Sequence, residues 1–502
     1  MISLRGAELM ERIFAGARPA REEAGWRALA GLTLSGIAAD SRRVRPGFLF
    51  AALPGAAPDA REPRTARKDG RAFIADAVAN GAVAVLAPAG TDWPPGVPPR
   101  PLIEDAEPRR RLAELAALFA GPAPRTIAAV TGTNGKTSTV EFLRQLWAME
   151  GRPAASLGTL GLVAGGERVP GALTTPDPVA LAETLAGLAR RGIAQVAIEA
   201  SSHGLQQFRL DGLRLAAAGF ASFSRDHLDY HKDMAAYRAA KLRLFAELLP
   251  EGAPAVASAT LDRTTLSALR GIAGRRHLRL ETTGEHGSLI RLERVIPLPE
   301  GQLVTLAGGE LLLPLPGRFQ VENALLAAGL ALALGVADAP AGLARLRPVR
   351  GRLERAAVLA NGAAVYVDYA HTPDALANLL AALRPHTSGR LSVVFGAGGD
   401  RDPGKRAAMG RAAARGADRV IVTDDNPRSE DPAAIRRAVL AGCPGAPEIG
   451  DREQAIAAAL SDLGPGDVLA VAGKGHEEGQ MVGGRLLPFD DVTVIRRLVG
   501  AA

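Results

Sequence analysis

The stretch of residues 125–138 constrains the fold of this chain more than any other part of its sequence. Thr126–Thr131 is apolar enough to form a buried strand, and it runs directly into Gly-Thr-Asn-Gly-Lys-Thr-Ser, a glycine-rich turn that can open a helix. Backbone N–H groups and the helix N-terminus converge in such a turn, which favours a bound phosphate. Lys136 supplies a positive charge for terminal phosphates, and the Thr137 hydroxyl is a suitable magnesium ligand.

This phosphate loop is shorter than the common form of about eight residues, because Val130 stands where the first glycine of that form belongs. The alternative is a tight strand-to-helix turn without a ligand, which Gly-Lys-Thr after a strand disfavours. Many nucleotide-binding enzymes share these residues. By themselves they predict only a bound nucleotide phosphate.

Length and composition predict a multidomain cytoplasmic protein. A chain of 502 residues, 47% of them hydrophobic, has enough apolar side chains for three packed domains. Its single cysteine, Cys443, excludes an internal disulfide framework and a metal site of several cysteines. A lone cysteine fits a reducing cytoplasm, and charged residues near the N-terminus argue against a secretory signal.

The charge pattern does not support a nucleic-acid or membrane partner. The net charge of +7 comes largely from scattered arginines, without a lysine-rich tail or interleaved aromatic and basic residues. Binding of small anionic substrates explains an excess of basic residues equally well. The longest apolar run, residues 324–337, is shorter than the roughly 20 residues that span a bilayer, so it predicts a buried helix. We therefore expect small-molecule substrates, no nucleic acid, no membrane insertion and a monomer.

Strand-like and helix-like segments alternate along the chain, which predicts the α/β class. From Thr126 onwards, strand candidates such as residues 194–199 and 215–220 are each followed by polar loops, as in a parallel sheet covered by helices. Proline-rich breaks mark two domain boundaries. We predict a small N-terminal α/β domain of residues 1–122, a central domain of residues 123–347 with a parallel phosphate-loop-type sheet and helices on both faces, and a C-terminal Rossmann-like α/β domain of residues 348–502.

Charged loops follow four further strand candidates in the C-terminal third. These strands are residues 364–367, Leu391–Phe395, residues 419–423 and Val468–Ala472. Ligands bind at the carboxyl ends of strands in open α/β sheets, so we expect the loops to line one edge. There Arg401 and Arg428 suit carboxylates, and Asp425 and Glu477 suit an ammonium group. The set fits a zwitterionic amino acid, although each loop alone is equally an ordinary turn.

Three polar elements of the central domain have both structural and functional interpretations. Glu199 ends a strand, where its carboxylate can hold magnesium or simply cap a helix. Ser224-Arg-Asp-His-Leu-Asp-Tyr-His231 contains two histidines and two aspartates, which suit a metal or acid–base site or a polar loop. Lys241 lies on a helix-like segment. As an ammonium it cannot bind a cation, so its residue type alone predicts a solvated side chain.

Together these segments resemble the Mur ligase family, the ATP-dependent enzymes that build the peptide stem of peptidoglycan. The short phosphate loop preceded by Val130 is that family's form. Glu199-Ala-Ser-Ser-His203, Asp226-His227 and Val367-Asp-Tyr-Ala-His-Thr-Pro373 follow in the family's order. The resemblance runs over nearly the whole chain and implies the three-domain fold.

Within the family, the chain is similar to members that add the third residue to UDP-N-acetylmuramoyl-L-alanyl-D-glutamate. Asp40-Ser-Arg-Arg-Val44, Thr174-Thr-Pro176 and Arg225-Asp-His-Leu-Asp-Tyr-His231 are typical of them. Asp425-Asn-Pro-Arg428 is similar to the motif of members that choose meso-diaminopimelate, and lysine-adding relatives usually lack its arginine. Diaminopimelate has a carboxylate that lysine lacks, and an arginine can pair with it.

The resemblance implies an ATP-dependent acid–amino-acid ligase with three ligand sets. The residues implied to hold the nucleotide-sugar dipeptide are Ser41 at the uridine diphosphate end and Thr174, Thr175, Ser201, Gln207 and Arg209. Those implied to bind ATP are Gly132, Thr133, Asn134, Gly135, Lys136, Thr137, Ser138, Asn323, Arg352 and Asp368. Those implied to bind meso-diaminopimelate are Arg401, Asp425, Asn426, Pro427, Arg428, Gly473 and Glu477.

The resemblance also implies two magnesium ions and a modified lysine. Thr137 and Glu199 would hold the first ion, and His227 with Lys241 the second. Lys241 matches the family's carbamylated lysine (N6-carboxylysine), in which carbamylation turns an ammonium into an acid. Lys136, His227 and Lys241 are thus the implied catalytic residues.

Some positions depart from the family's pattern. Ser222 stands where an asparagine is common, and Gln320 replaces another asparagine. Ala56-Ala57-Pro58 lacks the polar residues often found near the uracil. These departures concern uridine and nucleotide contacts rather than the reaction.

Three other functions compete with this interpretation. The same ligase could use L-lysine or another diamino acid. A folylpolyglutamate synthetase-like ligase shares the phosphate loop and the lysine, but the Asp-Ser-Arg motif of the first domain argues against it. A non-catalytic nucleotide-sugar binding protein is disfavoured by the retention of Lys136, Glu199, His227 and Lys241.

Overall fold

The structure, a computed structural model, describes residues 2–14, 23–55, 68–228 and 230–500. Two compact units make up the chain: Met1–Thr282 with Gly329–Val336, and Thr283–Ala328 with Ala337–Ala502. The atypical Ala56-Ala57-Pro58 segment and Asp229 of the histidine-rich motif lie outside the described residues. The three-domain division stays a prediction.

The N-terminal part of the first unit is a small α/β arrangement. Its elements are β1 Leu4–Arg5, α1 Gly6–Phe14, α2 Glu23–Leu29, β2 Thr33–Leu34, β3 Gly36–Ala38, β4 Phe48–Ala51, α3 Ile74–Ala79, β5 Ala82–Pro88, β6 Leu102–Asp105 and α4 Pro108–Ala120. Strands β3, β4, β5 and β6 form a parallel sheet in that order, and β1 pairs antiparallel with β2.

The rest of the first unit is built on a larger sheet. Its elements are β7 Thr126–Thr131, α5 Lys136–Met149, β8 Ala154–Gly158, β9 Gly161–Ala164, β10 Glu167–Val169, α6 Pro178–Arg190, β11 Gln195–Glu199, α7 Ser202–Gln206, β12 Ala217–Phe220, α8 Met234–Arg243, a π-helical turn Leu244–Leu248, β13 Pro254–Ser258, α9 Arg263–Arg275 and β14 Arg279–Gly284. The strand order is β10-β9-β8-β11-β7-β12-β13-β14, and β8, β11, β7, β12 and β13 are parallel.

Helices cover both faces of this parallel sheet, as predicted. Successive strand residues point to opposite faces. Ile127 and Ala129 of β7 therefore enter a core with apolar residues of α6, α8 and α9. On the other face α5 packs against β8 and β11, and Leu330 lies close to Gly219 of β12. Because β7 lies between β11 and β12, the phosphate loop opens at the carboxyl ends of parallel strands, with Glu199 opposite Val130 in register.

The second unit contains a parallel sheet of its own. Its elements are β15 Ile290–Leu298, β16 Gly301–Leu306, β17 Gly309–Leu313, α10 Arg318–Ala333, α11 Ala339–Gly342, β18 Glu354–Val358, β19 Ala364–Asp368, α12 Pro373–Leu383, β20 Leu391–Phe395, α13 Lys405–Gly416, β21 Arg419–Val422, α14 Pro432–Leu440, α15 Arg452–Leu460, β22 Val468–Ala472, β23 Gly479–Val482, β24 Arg485–Pro488 and α16 Asp491–Leu498. Helix α10 is divided between the two units after Ala328.

The sheet order β18-β19-β22-β20-β21 is parallel except for β18. Helices α12, α13 and α14 pack on one face, and α15 and α16 pack on the other. This two-sided covering is the predicted Rossmann-like arrangement. The carboxyl ends of β19, β20, β21 and β22 meet at one edge, so the four charged loops of the C-terminal third lie there as expected.

The apolar run of residues 324–337 forms a buried helix that ends earlier than its composition suggests. Helix α10 ends at Ala333, and Gly335 has a φ of 82°. The Val336 N–H then donates to the Ala331 carbonyl at 2.9 Å, which closes a glycine-terminated helix end. Nowhere in the described ranges does a helix combine the length and apolar character needed to cross a membrane.

Candidate active site

The phosphate loop folds into the predicted strand, turn and helix start. Gly132 and Gly135 adopt φ values of 152° and 85°, and Gly135 precedes the first turn of α5. The Lys136 ammonium donates to the carbonyl oxygens of Gly132 and Thr133 at 2.8 and 2.9 Å. Thr137 is buried at the N-terminus of α5. The loop therefore brings a cation, a hydroxyl and a helix N-terminus together, as a nucleotide phosphate requires.

Ser222, one of the departures from the family's pattern, braces the phosphate loop from the end of β12. Its hydroxyl accepts from the Asn134 N–H at 2.9 Å and donates to the Asn134 carbonyl at 3.0 Å. Its backbone carbonyl accepts from the Thr133 N–H at 2.8 Å. The Ser222 hydroxyl thus pairs with both backbone polar groups of one loop residue. The sequence shows Ser222 as a departure from the family's pattern but does not reveal these contacts.

Glu199 is fully buried at the end of β11, next to the phosphate-loop strand. Its carboxylate accepts from the Thr159 N–H at 2.7 Å and from the Thr159 hydroxyl at 3.2 Å. A Cβ on Gly158 would lie 2.1 Å from Glu199 Oε1, so only glycine leaves room for this carboxylate. No sequence motif around Thr159 indicates that it contacts Glu199. The helix-cap interpretation of Glu199 is wrong, because Ser201 caps α7.

Lys241 is buried rather than solvated, which corrects the prediction from its residue type alone. Its side chain is 1% exposed, and Nζ donates to the Gly132 carbonyl at 2.7 Å. Burial lowers the pKa of Lys241 well below its ordinary value, the charge of Lys136 lowers it further, and Asp226 opposes both. The surroundings of Lys241 therefore shift it towards the neutral amine.

His227 and Lys241 both lie near the Tyr237 ring. The Tyr237 ring centroid is 4.4 Å from Lys241 Nζ and 5.9 Å from the His227 ring centroid. His227 has a φ of 54°, and its backbone N–H donates to the Asp226 carboxylate at 2.8 Å. The Tyr237 hydroxyl donates to Thr133 at 3.2 Å. The structure thus brings the predicted pair together around a tyrosine that we missed, although its position four residues before Lys241 places both on one helix face.

The remaining histidines of this region pack around His227. The His203 ring lies 4.9 Å from that of His227 and 3.9 Å from that of Tyr230, measured between centroids. His231 is 2% exposed, and its Nε2 is 3.0 Å from the Ser202 hydroxyl. This contact fixes α7 against the histidine-rich segment, which agrees with a structural role for His231.

The residues implied for the dipeptide form one hydrogen-bonded network beside Glu199. The Thr175 hydroxyl donates to the Glu199 carbonyl at 2.8 Å and lies 3.0 Å from the Ser201 hydroxyl. Arg209 donates to the Thr175 carbonyl at 2.6 Å and to the Gln207 side chain at 2.8 Å. Thr174 joins the network through Thr159, at 3.1 Å between hydroxyls. Five predicted positions thus converge next to the phosphate loop.

Ser41 lies in the N-terminal sheet region, inside a short turn. Asp40 caps this turn by accepting from the Arg42 N–H at 3.0 Å. The Arg42 guanidinium holds the pKa of Asp40 below its usual range. Ser41 is buried, and its carbonyl accepts from Asn80 at 3.0 Å. The Asp-Ser-Arg motif therefore forms a rigid turn, and its contact with uridine diphosphate stays a prediction.

In the second unit, the other residues that the family resemblance implies for ATP binding make hydrogen bonds within their own region. Asn323 donates to the Gln320 side-chain oxygen at 3.1 Å, and Gln320 donates to the Arg352 carbonyl at 3.2 Å. The Asp368 carboxylate accepts from the N–H groups of Leu353 and Ala370 at 2.7 and 2.8 Å. Burial raises the pKa of Asp368, although Arg352 opposes the shift. Gln320, the second departure from the pattern, is thus the link between Asn323 and Arg352.

Arg428 follows β21 in a conformation that its neighbours impose. Its φ is 54°, its N–H donates to the Met481 carbonyl at 2.9 Å, and its guanidinium donates to the Gly399 carbonyl at 2.7 Å. A Cβ on Gly398 would lie 2.8 Å from the Arg428 guanidinium and 3.7 Å from the Arg401 side chain. The two predicted arginines therefore flank the same glycine, and an alanine there would displace one of them.

Two predicted acids, Asp425 and Glu477, lie in the loops that follow β21 and β22 at the same edge. The Glu477 carboxylate accepts from the Asn426 side chain at 2.8 Å. Burial raises the pKa of Glu477, and the negative charge of Asp425 raises it further. A Cβ on Gly473 would lie 2.5 Å from the Asp425 carboxylate, so this glycine gives Asp425 its place. The edge therefore offers cations and anions together, which suits an amino acid.

A hairpin that the sequence did not reveal supports this edge. Strands β23 and β24 pair antiparallel, and β23 lies against the loop of Asp425 to Arg428. The Gln480 side chain donates to the Asp425 carbonyl at 2.8 Å, and the Met481 N–H donates to Asn426 at 2.9 Å. The short strands lack a strong alternation of polar and apolar residues, which is why periodicity does not find them.

Family models and individual relatives match this chain. The model for the Mur ligase middle domain matches residues 130–331, and that for the Mur ligase, glutamate ligase domain matches residues 351–475. The UDP-N-acetylmuramoyl-L-alanyl-D-glutamate--2,6-diaminopimelate ligase of Rhizobium meliloti (strain 1021) is 50% identical over 475 residues, which cover 93% of this chain and 95% of that protein.

The same pattern holds for a second relative and for a solved structure. The protein of that name from Bradyrhizobium diazoefficiens is 52% identical over 474 residues, which cover 92% of this chain and 94% of that protein. A solved structure of a UDP-N-acetylmuramoyl-L-alanyl-D-glutamate--2,6-diaminopimelate ligase is 33% identical, covers 97% of this chain and 98% of its own, and superimposes with a TM-score of 0.69. The chain therefore belongs to the Mur ligase family of ATP-dependent amide ligases.

Proposed function

We propose that this protein joins meso-diaminopimelate to the γ-carboxylate of the D-glutamate in UDP-N-acetylmuramoyl-L-alanyl-D-glutamate, with hydrolysis of ATP to ADP and phosphate. The loop of Asp425 to Arg428 is the observation that carries the proposal. It carries the Arg428 guanidinium and the Asp425 carboxylate, and its Asn426 contacts Glu477, in a chain that aligns over 93% of its length with a relative named for this reaction.

The reaction would proceed in two displacements. The γ-carboxylate oxygen of D-glutamate attacks the γ-phosphorus of ATP, the bond to ADP breaks, and an acyl phosphate forms. The neutral amine of diaminopimelate then attacks the acyl carbon, the amine loses a proton, and phosphate leaves with the electron pair of the broken C–O bond. Both steps crowd negative oxygens together, so fixed positive charge is the main stabilisation that the protein can offer.

The phosphate loop supplies that charge on this chain. Lys136 lies against the loop carbonyls, and the N–H groups at the start of α5 face the same region. The dipeptide network of Thr175, Ser201 and Arg209 lies next to Glu199, at the end of the neighbouring strand. This arrangement supports delivery of the D-glutamate carboxylate to the terminal phosphate.

The donor set near the loop fits magnesium. Among the described residues no three His, Cys, Asp or Glu side chains form a metal-binding group. The proposed ligands are instead the Thr137 hydroxyl, the Glu199 carboxylate, His227 and a carbamate on Lys241, which are mostly the hard oxygen donors that Mg²⁺ prefers. Bound there, two magnesium ions would neutralise phosphate charge.

Replacing Gly158 by alanine tests the magnesium assignment of Glu199. The added Cβ would lie 2.1 Å from Glu199 Oε1 and push the carboxylate away from Thr159. We expect the Mg²⁺ concentration for half-maximal activity to rise by about tenfold. Gly274→Ala is the matched control, because its Cβ meets open space on α9 and the change stabilises a helix by roughly 0.5–1 kcal/mol. Equal Mg²⁺ requirements in both variants would contradict the assignment.

Carbamylation of Lys241 is supported by its burial and by its neighbours. The neutral amine attacks carbon dioxide, an N–C bond forms and a proton is released. The lowered pKa of Lys241 supplies the neutral amine, and Lys136 would offset the new negative charge. We expect ¹³C-bicarbonate to give one carbamate signal in the wild-type protein and none in Lys241→Met. The carbamate signal should fade as pH falls through the Lys241 pKa, because protonation of the amine reverses the reaction. A carbamate signal that remains in Lys241→Met would contradict the assignment.

We infer that the protein acts as a monomer in the cytoplasm, where ATP, nucleotide sugars and amino acids are available. Its single cysteine, Cys443, is buried, and burial raises the pKa of that thiol, which agrees with a structural residue in a reducing compartment.

Phosphate release by the purified protein tests the proposed reaction. We expect release from ATP only when UDP-N-acetylmuramoyl-L-alanyl-D-glutamate and diaminopimelate are both present. Release without either substrate would indicate a plain nucleotidase, and binding of the nucleotide sugar without any release would indicate a non-catalytic protein. Activity with a pteroyl glutamate instead of the nucleotide sugar would favour the folylpolyglutamate synthetase-like alternative.

A further inference from the structure

Lys474 is a buried cation at the proposed amino-acid site that has no assigned role. It lies in the loop after β22, between Gly473 and Glu477, and its side chain is fully buried. Its ammonium donates to the Gly479 carbonyl at 2.6 Å and to the Asn426 side-chain oxygen at 3.3 Å. The Glu477 carboxylate lies 3.5 Å away. A lysine is rarely buried without partners, because desolvating its charge is costly.

These contacts decide which way the Asn426 amide faces. Its oxygen accepts from Lys474 and also from the Met481 N–H at 2.9 Å. Its nitrogen must then point the other way, where it donates to Glu477 at 2.8 Å. Lys474 and Asn426 therefore both contact Oε2 of the Glu477 carboxylate.

Lys474 also ties its loop to the hairpin of β23 and β24. Its shortest contact is with the carbonyl of Gly479, the first residue of β23. The same strand holds Asp425 through Gln480 and Arg428 through the Met481 carbonyl. Lys474 is thus connected to the two loops that carry Asp425 to Arg428, Gly473 and Glu477, and to the hairpin that supports them.

We propose that Lys474 is a positioning residue for the incoming amino acid, which holds the Asn426 amide and the ionised Glu477 carboxylate in place to receive an ammonium group of diaminopimelate. This inference rests on the proposed function, since it deepens the assignment of the same site. Lys474 acts through Asn426 and Glu477, so it need not touch the substrate.

The charge of Lys474 has a consequence that a purely structural lysine lacks. Burial and Asp425 raise the pKa of Glu477, and Lys474 opposes both. Arg452, paired with Asp491 in the core, also has an electrostatic interaction with Glu477. Removing Lys474 therefore raises the pKa of Glu477 further, so the carboxylate is protonated at a higher pH. The acid limb of the pH profile for diaminopimelate should shift upward.

Steady-state kinetics of Lys474→Met and Lys474→Arg in the full-length protein test this inference. For Lys474→Met we expect the KM for diaminopimelate to rise about tenfold, the value for a lost hydrogen bond to a charged group, with KM for ATP and for the nucleotide-sugar dipeptide unchanged. The acid limb of kcat/KM for diaminopimelate should move to higher pH in Lys474→Met and back towards the wild-type position in Lys474→Arg. Should the methionine variant not fold, Lys474→Gln removes the charge, keeps a donor and is read by the same criteria.

A matched control separates positioning from loss of structure. Leu380→Ala removes a fully buried core side chain of α12 and should lower the thermal midpoint without changing any KM. An unchanged KM for diaminopimelate in Lys474→Met, an unmoved acid limb, or an equal rise of all three KM values would overturn the inference. If the wild-type protein forms no product from diaminopimelate, the proposed function fails instead, and the variants are then measured with the amino acid that the wild type does use.

Discussion

Replacing Lys136 by methionine should lower kcat by about 10²–10³-fold, the loss seen when one fixed donor to a developing oxyanion is removed. Methionine keeps the length of the side chain but removes the charge that lies against the Gly132 and Thr133 carbonyls. The proposed transition state concentrates negative oxygens at this point, so the loss should fall on the chemical step. Phosphate release at saturating substrates measures it.

Two features make this result specific. Lys232→Met, which changes an exposed lysine just before α8, should retain wild-type kcat. Lys136 also lowers the pKa of Lys241, so its removal should raise that pKa and reduce the carbamate signal at a fixed pH. A Lys136→Met variant with a kcat close to that of the wild type would contradict the proposed role of the phosphate loop in catalysis.

Replacing Arg428 by alanine should raise the KM for diaminopimelate by about 100-fold, equivalent to roughly 3 kcal/mol, while the KM for ATP stays near its wild-type value. The guanidinium is held by the Gly399 carbonyl beside Arg401, at the edge where Asp425 and Glu477 also lie. Its removal leaves the additional carboxylate of diaminopimelate without a partner. Initial rates at varied diaminopimelate and varied ATP measure the two constants separately.

Arg437→Ala is the matched control for this variant. Arg437 lies on α14 with a side chain 67% exposed, and its contact with Asp431 is a surface ion pair of little energetic weight. It should leave both constants unchanged. Equal losses of diaminopimelate and ATP affinity in Arg428→Ala would mean that the arginine supports the fold of the edge rather than the substrate.

Much of the fold and of the phosphate-loop site could be predicted, because the sequence patterns that indicate them are local. The phosphate loop, the strand that ends at Glu199 and the four strands of the C-terminal sheet are contiguous runs with strong patterns. Parallel pairing then brings their carboxyl ends together without further information. Lys241 shows the limit of such reasoning. Its residue type indicated a solvated side chain, the resemblance to a family implied a carbamate at a magnesium site, and its burial is visible only in the structure.

The unpredicted part consists of contacts between segments distant in sequence. Thr159 meets Glu199 across 40 residues, and Ser222 meets Asn134 across 88. The hairpin of β23 and β24 is found only by its pairing, because its strands are short and carry no clear alternation. Lys474 is a further example, since a lysine in a Gly-Lys-Gly turn is normally solvated, whereas this one is buried and donates to Gly479 of the hairpin.

Product analysis across a panel of amino acids tests the central claim most directly. The purified wild-type protein would be supplied with ATP, Mg²⁺, UDP-N-acetylmuramoyl-L-alanyl-D-glutamate and one amino acid at a time, and the nucleotide-sugar product would be weighed by mass spectrometry. We expect the tripeptide with meso-diaminopimelate at far higher kcat/KM than with L-lysine, and we expect Arg428→Ala to reduce that preference. Equal or faster formation of the lysine product by the wild-type protein would contradict the account.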